Sequence, residues 1–168
     1  TINNLLIPYT SNYAGTLLPG IREYTVTPGE KTTTISGKGK AGLKQEENYY
    51  FFYLPVCYKG ITGKSYAYYN TSRSKNLYLP ASVDENYSYD IQLPENLTLC
   101  TPIQEKKIDN PIGSFKITLT SEGSSLHIEL ALQIKKQLIT PAEYPAFRSL
   151  ITEWTDRTRK PILFKTVQ

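Results

Sequence analysis

Polar and apolar residues alternate with a period of two through the middle of the chain, and that period marks strands. Phe115, Ile117 and Leu119 alternate with Lys116, Thr118 and Thr120. Beyond Ser121-Glu-Gly-Ser-Ser125, Leu126, Ile128, Leu130, Leu132 and Ile134 alternate with His127, Glu129, Ala131, Gln133 and Lys135. Two such segments joined by a short Gly/Ser turn predict a β-hairpin with one face on a core. Tyr87, Tyr89, Ile91 and Leu93 repeat the alternation one segment earlier, and Pro94-Glu-Asn96 ends it. Tyr49 to Val56 is a nearly unbroken aromatic and apolar run, which reads as a strand buried on both faces. Lys64–Asn70 and Lys75–Leu79 read as further short strands.

Towards the C-terminus the period changes. Tyr144, Phe147, Leu150, Ile151 and Trp154 recur at three- and four-residue spacing, one apolar stripe of a helix. Thr140-Pro-Ala-Glu143 supplies a capping residue, a proline at the first helical position and a glutamate three residues after the cap. Ile139 and Tyr144 flank it where a hydrophobic staple would sit. Pro145 would break a regular helix from within, so the first turn of a helix spanning about 141–158 is expected to be irregular. Pro161 stops the helix, and Ile162-Leu-Phe164 reads as a final short strand.

The N-terminal part is weaker. Residues 1–20 lack a steady period and carry Pro8, Gly15, Pro19 and Gly20, and strands are expected at 21–27 and 31–36. Residues 1–44 thus read as a lead-in, and 45–168 as the domain. Strands followed by one helix, with no internal repeat and no βαβ alternation, predict a mainly β protein: an antiparallel β-sandwich closed by one C-terminal amphipathic helix and a short strand.

Composition narrows the function classes. At 168 residues and 39% hydrophobic content, one real core is affordable, and no apolar run reaches the ~20 residues of a membrane-spanning helix. The net charge of +4 is scattered in short runs, such as Lys106-Lys107 and Lys135-Lys136, and not gathered on one face, which argues against nucleic acid. The chain opens at Thr1 without a charged-then-apolar leader, so any targeting signal is expected to lie outside it. Cys57 and Cys100 read as small buried residues and form no disulfide framework.

Candidate chemistry is thin. Gly37, Gly39 and Gly42 match GxGxxG, but a β run follows instead of the helix that would receive phosphates. His127 is the single histidine and points outward from a strand; no Cys/His spacing supplies the three or four ligands of a metal site, so neither metal nor cofactor is expected. Cys57 lies in a strand-like run and not at a helix start that would activate its thiol. Asp84 and Glu85 are adjacent acids on an extended segment, aimed opposite ways, and read as part of a solvated loop. Three N-glycosylation sequons, at Asn70, Asn86 and Asn96, are what turn-rich Asn/Ser/Thr segments produce by chance. Of fourteen tyrosines, ten fall between Tyr49 and Tyr89, which chiefly signals β structure. The sharper idea is that Tyr66, Tyr68 and Tyr69 form an exposed row of rings that binds glycan or peptide.

Several stretches resemble the C-terminal accessory domain of bacterial transglutaminase-like proteins. They are Tyr49-Tyr-Phe-Phe-Tyr-Leu-Pro55, Arg73 with Leu77-Tyr-Leu-Pro80, Tyr89-Asp-Ile-Gln-Leu-Pro94, Asn110-Pro-Ile-Gly113, and Ile139 to Tyr144 with Phe147-Arg148. The resemblance covers roughly Gln45 to Lys165. It implies a β-sandwich of unknown function that follows a papain-like core, in a protein exported to the periplasm or surface of a Gram-negative bacterium. It also implies that the Cys-His-Asp machinery lies upstream, so this chain is not itself an enzyme and its partner is the catalytic domain of the same polypeptide. The alternative is a binding module for glycan or peptide that uses exposed tyrosines.

Overall fold

The computed structural model describes residues 23–28, 33–38, 42–54, 61 and 72–166. In chain order they form β1 (Glu23–Pro28), β2 (Thr33–Lys38), β3 (Lys44–Glu46), β4 (Tyr49–Phe52), β5 (Leu77–Tyr78), β6 (Val83–Gln92), β7 (Leu97–Leu99), β8 (Gln104–Asn110), β9 (Gly113–Glu122), β10 (Ser125–Ile134), β11 (Leu138–Ile139), α1 (Tyr144–Arg159) and β12 (Ile162–Thr166). Among the described residues the protein is mainly β, its sheets are antiparallel, and one helix precedes the last strand, as the alternation and the period change predict.

The first sheet has the order β6-β10-β9-β8 and the second β3-β4-β12-β7. β5 and β11 form a small separate pair, and β1 and β2 pair only with each other among the described residues. Both strands of the β1–β2 hairpin lie slightly later than the predicted 21–27 and 31–36. The expected strand at Lys64–Asn70 lies outside the described residues, and the one at Lys75–Leu79 shortens to β5.

The β9–β10 hairpin is the spine. Glu122 pairs with Ser125, leaving Gly123-Ser124 as a two-residue turn, and Gly123 takes the left-handed φ of +56° that such a turn asks of its first central residue. Phe115, Ile117, Leu119, Leu126, Ile128, Leu130, Leu132 and Ile134 all face inward and are buried. That single apolar face has two covers. Near the turn, Leu119, Leu126 and Ile128 pack with Phe52, Leu97, Ile162 and Phe164 of the second sheet, which makes the sandwich. Near the open end, Phe115, Ile117, Leu130, Leu132 and Ile134 pack with Phe147, Leu150, Ile151 and Trp154 of α1.

The capping box forms, but one turn ahead of the regular helix. The Thr140 N–H donates to Glu143 Oε2 at 3.0 Å, and the N–H of Glu143 reaches Thr140 Oγ1 at 3.4 Å. Residues 141–143 make a separate turn, in which the Tyr144 N–H donates to the Thr140 carbonyl at 2.9 Å. The helix expected at about 141–158 therefore runs from Tyr144 to Arg159. Pro145 sets this restart, because in the first turn of a helix its missing N–H costs nothing. Lys160 turns extended and Pro161 follows, which ends the helix and starts β12.

Two expectations are corrected. The run from Tyr49, described as far as Leu54, is not a strand buried on both faces: β4 ends at Phe52, its inner side packs on the sandwich core, and Tyr49 and Tyr53 stand exposed; Val56 lies outside the described residues. The segment 82–86 is no solvated loop, because Val83 to Gln92 pairs along its whole length with β10. Asp84 and Glu85 do face opposite ways, Asp84 outward and Glu85 half-buried. Burial raises the Glu85 carboxyl above its usual range although it accepts hydrogen bonds from the Ile61 N–H at 2.6 Å and the Tyr87 hydroxyl at 2.9 Å.

Candidate interaction surfaces

Strand alternation decides which side chains the second sheet offers to solvent. On β4, Phe52 turns inward and stacks on Phe164, with ring centroids 6.0 Å apart. Its neighbours Tyr49, Phe51 and Tyr53 turn outward; Tyr49 is 49% and Tyr53 48% exposed. β12 adds Leu163, 38% exposed and directly opposite Phe51. Phe51 and Tyr53 meet edge to face at 6.2 Å, and the Lys44 ammonium sits 5.9 Å from the centre of the Tyr53 ring. Together they form an aromatic surface on a sheet face, the kind of exposed apolar patch that usually marks an interaction site. A smaller pair, Tyr78 (68% exposed) opposite Leu138, lies on the β5–β11 ladder.

The outer face of the first sheet is polar. His127 Nδ1 lies 2.7 Å from Asp90 Oδ1, while its Nε2 lies 3.6 Å from Glu129 Oε1; Glu129 in turn accepts from Lys116 Nζ at 3.1 Å. The hydrogen bond to Asp90 raises the imidazole above its ordinary pKa, and Lys116 first, then His127, lowers that of Glu129. An open polar groove of about 590 Å³ borders this pair at the turn end of the sheet, lined by Gln92, Thr120, Glu122 and Ser125 among others. His127 is held between two carboxylates, and among the described residues its ring nitrogens contact no hydroxyl or thiol. Cys100 is a half-buried free thiol.

Tyr66, Tyr68 and Tyr69, and Cys57 with them, lie outside the described residues. Two other tyrosines of the cluster are internal. Tyr87 and Tyr89 stack with centroids 6.3 Å apart, Tyr87 also meets Trp154 at 5.8 Å, and burial drives the Tyr89 phenol well above its ordinary pKa. Sequence reasoning missed Tyr49 and Tyr53 as surface residues, since an unbroken aromatic run has no period that tells a covered face from an open one.

Residues 48–164 match the model of a family described as a domain of unknown function with a solved structure, DUF3858. The chain is also similar to the crystal structure of a protein from Parabacteroides distasonis described as a "putative protease", at 30% identity and a TM-score of 0.59. The likeness covers 71% of this chain and 24% of that one, so this chain spans about a quarter of its structural relative. No curated protein matches the chain.

Proposed function

Since the chain belongs to the DUF3858 family, whose function is unknown, we propose that it is a non-catalytic accessory domain of a larger exported protein with a transglutaminase-like core. It packs against that core through the outer face of its second sheet. The observation that carries this reading is the aromatic surface of Tyr49, Phe51, Tyr53 and Leu163, on a protein whose other broad sheet face is polar. The chain's share of its relative, 24%, leaves ample room for a catalytic domain in a polypeptide of that size. A protease and a transglutaminase-like core both act on amide bonds, so the relative's description fits this reading. Export to the periplasm or surface of a Gram-negative bacterium belongs to the same proposal.

The test is amide hydrogen exchange at residues 49–53 and 162–165, in this chain alone and within the full-length polypeptide. Slower exchange in the longer protein, abolished by Tyr53→Asp with Leu163→Asp, is the expected result. Equal exchange in both would overturn the docking face. Two exposed phenols on one sheet face also favour a second reading, a glycan- or peptide-binding module. A glycan array read with wild type and with Tyr49 and Tyr53, or Tyr66, Tyr68 and Tyr69, changed to Ala separates the two.

A further inference from the structure

A groove of about 450 Å³ runs between α1 and the β8 edge of the first sheet, away from the aromatic face. Arg73, Ile108, Tyr144, Arg148, Thr152 and Glu153 are among the residues that line it. Three observations about its charges belong together. Neither Arg73 nor Arg148 takes part in any of the ion pairs formed among the described residues. Glu153, the acid on the same wall, is already held by Lys106 at 2.6 Å. Arg73 is half-buried, and its Nε is shut away from solvent with no hydrogen-bond partner.

A buried donor left without a partner is costly, and a guanidinium is costlier still, because the fork is built to hold an oxyanion by two parallel bonds. The groove therefore carries two guanidinium charges that form no ion pair with a described residue, one of them partly desolvated. The rest of its lining is Ile108, Pro141, Tyr144 and Pro145, which offer apolar contact, with the hydroxyl residues Ser72, Ser149 and Thr152 beside them. Glu153 on the rim penalises a dianion more than a monoanion. A singly charged carboxylate flanked by apolar groups fits this arrangement better than a phosphate.

We propose that the groove binds a carboxylate-bearing peptide segment. Arg73 and Arg148 take the carboxylate, and Tyr144, Pro145 and Ile108 pack against the residues beside it. The carboxylate comes either from an acidic side chain or from a chain terminus, and the two need different probes.

The experiment titrates the isotope-labelled full chain with three ligands and follows its amide resonances. The first is an end-blocked Leu-Glu-Leu peptide, the second its Leu-Gln-Leu counterpart, and the third an acetylated Leu-Leu peptide with a free C-terminus; inorganic phosphate is the control. The expected result is saturable shifts around Arg73 and along residues 144–153 with at least one carboxylate peptide. The Gln peptide should bind about tenfold more weakly, the usual worth of a charge-assisted pair. Arg148→Gln, an exposed change, should weaken binding about fivefold or more with unaltered thermal melting, and Arg148→Lys should fall between. Arg73→Gln should weaken it too. Failure of both carboxylate peptides to bind at millimolar concentration, binding of the Gln peptide as tight as that of the better carboxylate peptide, tighter binding of phosphate, or shifts confined to residues 49–53 would each overturn the proposal. Shifts at residues 49–53 report on the aromatic face and leave the two readings distinguishable.

Discussion

Asn110, the last residue of β8 before the turn to β9, donates from its side-chain amide to the main-chain carbonyl of Ala146 in the first turn of α1, at 3.0 Å. Its other side-chain atom, Oδ1, accepts from the N–H groups of Ile112 at 2.9 Å and Gly113 at 3.3 Å. One residue thus closes the Pro111-Ile112 turn and ties the hairpin to the helix. Asn110→Ala is expected to cost about 2 kcal/mol in chemical denaturation, since the Ile112 and Gly113 N–H groups lose this acceptor and the tie to α1 is cut. Gly113→Ala should cost about 3 kcal/mol or more, because a Cβ there would lie 1.8 Å from the Gln133 carbonyl oxygen.

Glu143 sets an acid limit. Hydrogen bonds from Lys136 first, and then from the N–H and hydroxyl of Thr140, hold its carboxyl down to about 2, against an ordinary 4.5. A carboxyl harder to protonate in the folded state stabilises the fold above the unfolded pKa and loses that contribution as pH falls. The wild-type protein should therefore lose melting temperature between about pH 4.5 and 2 more steeply than Glu143→Gln, which lacks the group.

His127 offers the opposite sign. Asp90, first, and Glu129 raise its pKa above 6.5, so the charged form is favoured in the folded state. Its contribution is complete below the unfolded value and fades as pH rises through the folded one. As the single histidine it gives one unambiguous proton NMR titration, whose midpoint should lie above 6.5 in wild type and fall towards it in Asp90→Asn.

Trp154 is fully buried between α1 and the first sheet, beside Tyr87. Trp154→Ala should cost roughly 3–5 kcal/mol by chemical denaturation through the cavity it leaves. Its indole N–H has no partner, so Trp154→Phe should recover most of that loss: the smaller ring removes an unmet donor along with some volume.

Glu47 carries the one positive φ, +53°, found on a non-glycine residue among those described. It stands in the two-residue turn between Glu46 and Tyr49, where a Cβ is strained. Glu47→Gly should raise stability by about 0.5–1 kcal/mol, measured by chemical denaturation, the strain outweighing glycine's added freedom when unfolded.

What could be read in the sequence follows from how local each signal is. Phe115 to Ile134 alternates without a fault because one face meets the core and the other meets water, and α1 shows its stripe for the same reason. β8 escaped notice because Glu105, Lys106 and Lys107 on an edge strand are all exposed, which hides the inward lean of Ile108. Pro145 marked an irregular start correctly, yet no local signal says whether the preceding turn joins the helix. The surfaces were harder still. Arg73 and Arg148 share a groove only through tertiary packing, and the openness of Tyr49 and Tyr53 depends on what the fold leaves uncovered.

β12 lies between β4 and β7, so Phe164 pairs with Tyr50 on one side and Leu99 on the other. Those two partners share no ladder of their own, and the strand that joins them is the last of the described strands to be made. On the ribosome, the first sheet has all its strands once residue 134 has emerged, while β3, β4 and β7 wait, with Phe52 and Leu97 unsheltered. The order of synthesis thus sets a period in which this sandwich is half closed, and a chaperone that holds exposed aromatic segments would find its substrate there.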